Sequence, residues 1–164
     1  MSGSFFTQKG GRKMKEQNYI PLVRLEMVQD RKIPYNADKL DCPEKVAELA
    51  MKIIGTADRE YVLVISVNSK CLPVALEITS IGSVNAAFME PREIFKHAII
   101  SNAVGILLVH NHPSGDCEPS KEDKDVTQRI RKAGELLGIQ VYDHVIIGNE
   151  KYYSFRERNQ SVAQ

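Results

Sequence analysis

The sequence contains no apolar run approaching the length of a membrane span, and its start lacks the apolar core of a signal peptide. It is also poor in cysteine. Cys42, Cys71 and Cys117 are odd in number and widely spaced, which argues against a disulfide framework and for a reducing compartment. A surplus of either charge is missing too: the formal net charge is +1, and no nucleic-acid footprint rises above background. Internal repeats are absent, and the one biased stretch is at the start, where Lys9, Arg12, Lys13 and Lys15 surround Gly10 and Gly11. Such a run could touch phosphates, but a solvated, flexible basic tail over residues 1–18 is the commoner meaning. The rest is ordinary for a globular protein, because 164 residues with 43% hydrophobic content can bury a real core. The expectation is one compact domain in the cytoplasm, with no membrane contact and an open question of oligomeric state.

Along the chain the apolar pattern gives an alternating α/β order. Within an N-terminal extension, residues 19–41, a strand is expected around residues 22–28, with the segment ending at Pro34. A helix begins at Pro43, where proline suits the first helical position, buries Val46, Leu49, Ala50 and Ile53, and stops at Gly55. Residues 61–67 form a strand, Asn68-Ser69-Lys70 turns the chain, and a second strand lies around residues 74–81. Gly82 interrupts before an apolar stretch over residues 84–88. Pro91 starts another helix, with Ile94, Phe95, Ala98 and Ile99 on its core face. The run Val104-Gly105-Ile106-Leu107-Leu108-Val109 reads as a buried strand. A helix with the apolar series Val126, Ile130, Ala133, Leu137 and a closing strand over residues 141–147 complete the pattern.

Directly after the buried strand comes His110-Asn111-His112-Pro113-Ser114-Gly115, followed by Ser120 and Asp123. If the strand runs on through His112, its period of two places both imidazoles on one face. Gly115 and Pro119 then break the chain, and Ser120 opens a helix whose first turn carries Asp123. Two imidazoles and a carboxylate so arranged make a three-ligand, open-sided zinc site. Ser120-x-x-Asp123 ahead of an apolar series is also a plain helix start of the capping-box type. The two roles are compatible, since a helix start can hold Asp123 in position.

The pattern His-x-His, seven residues, Ser-x-x-Asp resembles the JAMM motif of JAB/MPN-domain metalloproteases. The wording His-Asn-His-Pro-Ser-Gly, with Asp143-His144 after a helix, is similar to the RadC branch of that family. The similarity takes in Ser80-Ile81-Gly82-Ser83-Val84-Asn85-Ala86, Pro91-Arg92-Glu93-Ile94-Phe95 and Asp143-His144-Val145-Ile146-Ile147-Gly148. It covers residues 42–157 and leaves residues 158–164 as a C-terminal tail. The resemblance implies an α/β fold, a single domain with a mixed β-sheet covered by helices in a cytidine-deaminase-like layout. It further implies Zn2+ held by His110, His112 and Asp123. Cys117 matches no family ligand and is read as a bystander thiol; His144 is read as a histidine behind the ligands or in the core. The letters His-Asn-His are shared with a nuclease class, but those enzymes spread their residues over a ββα unit, whereas here they are consecutive.

Three protein ligands would leave zinc one position for a water of lowered pKa, suited to attack on an amide carbonyl. A carboxylate must then move the proton to the leaving amine, and Glu60, Glu77, Glu90 and Glu93 are the candidates. In the family the catalytic glutamate lies where a helix gives way to the first core strand. Arg59-Glu60-Tyr61-Val62-Leu63-Val64 matches that place, so the resemblance assigns Glu60, with Glu93 as runner-up. It likewise assigns Ser120 as a donor to the tetrahedral oxyanion.

Eukaryotic-type members carry Ser or Thr between the histidines, where this chain and RadC-like proteins have asparagine, here Asn111. Isopeptidase action on a ubiquitin-like tag does not follow from the motif. The RadC pattern also places a helix-hairpin-helix region ahead of this domain. About forty residues precede Cys42 here, with no Gly-hairpin repeat, so the expectation is a bare catalytic domain with an extension. Three functions remain open: a zinc metallopeptidase or isopeptidase acting on an unknown protein or peptide substrate, a DNA-repair or recombination accessory of the RadC type, and a catalytically silent partner-binding module with a structural metal. The even charge gives autonomous DNA association little support.

Overall fold

Among the described residues five strands and four helices form, most of them placed by the apolar pattern and the helix-starting residues between them. The computed structural model describes residues 18–36, 39–82 and 89–162. The basic run near the start and the stretch 84–88 lie outside them. In chain order the elements are α1 (Pro43–Ile54), β1 (Tyr61–Val67), β2 (Pro73–Ile81), α2 (Pro91–Ile100), β3 (Gly105–Asn111), α3 (Lys121–Leu137), β4 (Gln140–Ile147), β5 (Tyr152–Ser154) and α4 (Phe155–Val162). Pro43 and Pro91 each open their helix, where a missing N–H costs nothing. Ser120 caps α3, and Gly138 ends it in the left-handed region at φ 68°.

The strands form one mixed sheet in the order β2-β1-β3-β4-β5. β1 runs antiparallel to both β2 and β3, β3 runs parallel to β4, and β5 returns antiparallel to β4. α3 is the crossover that a parallel β3–β4 pair requires. Alternation along β1 and β3 divides the core in two. Leu63, Ile65, Val67, Leu107 and Val109 pack with Val46, Leu49 and Ala50 of α1 on one face. Val62, Val64, Ile106 and Leu108 pack with Ile94, Phe95 and Ala98 of α2 and Ile130 of α3 on the other. The mixed, helix-covered sheet of a single domain is the architecture expected.

Several local expectations need correction. Residues 18–36 contain no strand, and Leu22, Val23, Leu25 and Val28 are exposed. Strand propensity needs a neighbouring ladder, and no described strand pairs with this segment. The extension is tied down nearer the domain, where Ile33 packs on the α1 side and the Leu40 N–H donates to the Cys71 carbonyl at 2.9 Å. Leu137 and Ile99 are exposed rather than core-facing. β5 and α4, unanticipated, close the far edge of the sheet, and α4 continues past Glu157 to Val162.

Candidate metal centre

The carboxyl end of β3, the start of α3 and the start of β1 meet at one end of the sheet. Val62 pairs with His110 across the antiparallel β1–β3 ladder, so the residues entering β1 lie beside those leaving β3. His110 follows Leu108 and Ile106 on the α2–α3 face and is buried. β3 ends at Asn111, yet the His112 N–H still donates to the Ile147 carbonyl at 2.9 Å, which carries the strand direction one residue further. Both imidazoles therefore emerge on the same side, with Nε2 atoms 3.0 Å apart.

Asp123 is delivered by the capping box. The Ser120 hydroxyl accepts the Asp123 N–H at 3.0 Å, and the Ser120 N–H donates to Asp123 Oδ2 at 2.8 Å. This reciprocal pair fixes the first turn of α3 and turns the carboxylate toward the histidines. Asp123 Oδ1 lies 3.2 Å from His110 Nε2, and Oδ2 lies 3.6 Å from His112 Nε2. Burial resists ionisation of Asp123, but the adjoining His110 and His112 side chains outweigh it and hold the carboxyl far below the usual range. The same contact with Asp123 raises the pKa of His112 against the effect of burial.

The hydrogen bonds behind the imidazoles decide which nitrogens are free. His112 Nδ1 lies 2.7 Å from the Asp116 carbonyl, which can only accept, so Nδ1 carries the proton and Nε2 the lone pair. For His110 the relay is longer. The Thr127 hydroxyl donates to the Asp123 carbonyl, so its oxygen accepts from His144 Nδ1 at 2.6 Å. Burial drives the His144 pKa well down, which makes it neutral and leaves its Nε2 bare. That bare nitrogen accepts His110 Nδ1–H at 2.8 Å, and His110 Nε2 is left with a lone pair. Phe155 stacks on His144 with centroids 5.0 Å apart. Buried Asp143 accepts the His144 and Arg156 N–H groups and the Ser154 hydroxyl, which secures this layer to the start of α4.

The two Nε2 atoms, each the nitrogen left without a proton when its ring is neutral, and a carboxylate oxygen thus converge, all within 4.8 Å of one another. Tetrahedral zinc with bonds of about 2.0–2.1 Å sets its ligand atoms about 3.3 Å apart. The spacings of 3.0 and 3.2 Å, with 3.6 Å to the second carboxylate oxygen, bracket that edge. By donor chemistry and spacing the residues fit a three-ligand metal site. Cys117 and His144 are not among the converging donors.

Of the other residues singled out in the sequence, Glu60 is half-buried just before β1, and its charge adds to the upward shift of His112. Glu93 is engaged elsewhere: it pairs with Lys96 at 2.6 Å on the outside of α2. Glu90 pairs with Arg129 at 3.2 Å. The Ser120 hydroxyl donates to Asp123 Oδ2 at 2.6 Å, so in this geometry its proton serves the ligand rather than the open side of the site. Thr127 and the wiring of His144 escaped the reading of the sequence, since a polar residue on a helix face carries no periodic signal of what it touches.

A family model described as "RadC-like JAB domain" matches residues 40–160. A UPF0758 protein of Desulfitobacterium hafniense is 45% identical over 119 residues, covering 73% of this chain and 52% of its own length. A UPF0758 protein of Clostridium beijerinckii is 38% identical over 151 residues, covering 92% of this chain and 66% of the relative. A third, from Caldanaerobacter subterraneus, is 47% identical over 116 residues, covering 71% and 50%. The chain spans about half the length of the first of these curated relatives. With the matched region taking in the whole sheet and all three converging donors, the chain belongs to the RadC-like JAB family.

Proposed function

We propose that this chain is a zinc-dependent amide hydrolase, a metallopeptidase or isopeptidase whose substrate is a protein or peptide in the cytoplasm. The observation that carries the reading is the convergence of His110 Nε2, His112 Nε2 and an Asp123 oxygen, all within 4.8 Å of one another, with the Nδ1 of each imidazole engaged behind it. When bound there, zinc supplies a Lewis acid and a water nucleophile usable near neutral pH. His110, His112 and Asp123 would hold the ion. Glu60, whose charge acts on His112, would take a proton from water and pass it to the leaving nitrogen. Ser120 can turn its hydroxyl from Asp123 to the oxyanion as charge develops there.

Family membership speaks at least as directly for a second reading, a DNA-repair or recombination accessory role of the RadC type. One experiment separates the two. Wild type and Glu60→Gln are compared as bait in lysate of the source organism, with zinc content measured on both and on Asp123→Ala. We expect zinc in the first two and not in the third, and a protein that is retained by Glu60→Gln and shortened by wild type. Recovery of nucleic acid alone, equally by both baits and stable to moderate salt, favours the accessory role.

A further inference from the structure

The residue between the two histidines makes contacts that neither a ligand nor a core side chain would make. Asn111 is buried, and its carboxamide reaches across to the segment entering β1. Its Oδ1 accepts the Tyr61 N–H at 2.8 Å, and its Nδ2 donates to the Arg59 carbonyl at 3.0 Å. Those two groups flank Glu60. Backbone pairing between β1 and β3 ends at Val62 and His110, and on its other side Asn111 pairs with Ile147 of β4. The carboxamide therefore adds one side-chain rung to the β1–β3 ladder, offering a donor and an acceptor as a peptide group would. The Glu60 carbonyl is held separately by the Gly82 N–H at 2.8 Å. Both peptide groups around Glu60 are thus fixed, one side of the segment to the strand that carries His110 and the other to the end of β2.

The geometry points to Asn111 as a positioning residue that holds Glu60 in a fixed relation to the metal-binding imidazoles. The inference rests on the proposed role of Glu60 as proton carrier. A carboxamide is the side chain the task requires. Its one donor and one acceptor lie on the same planar end, at the reach needed to grip both sides of a single residue. Leucine would fill the space and grip neither side; serine would fall short of both. Because the same residue sits between the two imidazoles in β3, any shift of the ligand strand is transmitted to Glu60 through two short hydrogen bonds.

The test uses the full chain with Asn111→Leu and the milder Asn111→Ser, each alone and combined with Glu60→Gln. Three-bond NMR couplings on the metal-free protein report the χ1 rotamer of Glu60. We expect one rotamer in wild type and averaging among rotamers in either Asn111 variant. Zinc affinity is then measured by competition with a chromophoric chelator. Replacing Asn111 should weaken zinc by about tenfold, the lower end of what residues behind the ligands contribute, and by far less once Glu60 is already glutamine. An unchanged Glu60 rotamer, or the same loss of affinity in both backgrounds, would overturn the inference and leave Asn111 a structural side chain. Should Asn111→Leu fail to fold, Asn111→Ser carries both measurements. Failure of wild type itself to take up zinc would count against the proposed function, while the rotamer comparison would still decide the role of Asn111.

Discussion

A single hydroxyl, that of Thr127, determines the tautomers of two histidines. It donates to the Asp123 carbonyl and accepts from His144 Nδ1, and this leaves the lone pair of His110 Nε2 facing Asp123 Oδ1. Thr127→Val keeps the shape and removes that acceptor. His144 is then free to protonate Nε2, which sets two N–H groups against each other and pushes the His110 proton onto the nitrogen that should bind metal. The expected result is zinc affinity lower by about 10–100-fold. Thr127→Ser should restore it. Imidazole 15N shifts would report the tautomer, and wild-type affinity in Thr127→Val would refute the relay. The convergence of His110, His112 and Asp123 was legible in the sequence because a strand period and a helix start constrain three residues within fourteen positions. A place for His144 behind them was expected too, but the parts played by Thr127 and Asn111 were not legible, because they depend on partners up to 52 positions away.

At the scale of elements, α3 shows how the site distorts the code by which a helix is read. Of the apolar series Val126, Ile130, Ala133, Leu137, the first three pack on the core and Leu137 is exposed, but the fully buried line is Asp123, Thr127, Ile130 and Gly134. The helix is rotated so that Asp123 meets the histidines, and the inward stripe is consequently polar at one end and small at the other. Hydrophobicity alone has no means of seeing such a stripe. Prolines and the capping box made the helix starts legible, while three-residue β5 is too short for a period of two to register. Gly134 shows what the rotation demands, because a Cβ there would lie 2.5 Å from the Ile139 carbonyl oxygen and 3.2 Å from the Phe95 ring. Alanine gains about 1 kcal/mol in helix propensity, but overpacking against backbone costs about 1–3 kcal/mol, so Gly134→Ala should be net destabilising. At Gly138 nothing lies within 4 Å of a Cβ, and alanine pays only for φ 68°, about 1 kcal/mol. Urea midpoints should fall further for Gly134→Ala, and the reverse order would mean that α3 can slide away from β4.

The whole molecule argues against a metal that merely staples the fold. Each face of the sheet has its own apolar cluster, one under α1 and one under α2 and α3, and none of the three ligands belongs to either. The three candidate ligands sit at one end of the sheet, where the Asp123 carboxylate and the imidazoles converge. In small domains folded by zinc, the metal supplies about 10–16 kcal/mol and its removal unfolds the chain. Here binding should act only by mass action, about 2.7 kcal/mol at a hundredfold excess over Kd. For a chain of this size that corresponds to roughly 5–10 °C in Tm. Treatment with a chelator should therefore leave the far-UV circular dichroism spectrum unchanged and the thermal transition cooperative, with a midpoint lower by that amount and restored by added zinc. Loss of the cooperative transition on chelation would make the metal structural and move the balance to a silent partner-binding module. Retention of the fold leaves an open-sided ion held at the edge of a core that stands without it, an arrangement better suited to chemistry than to support.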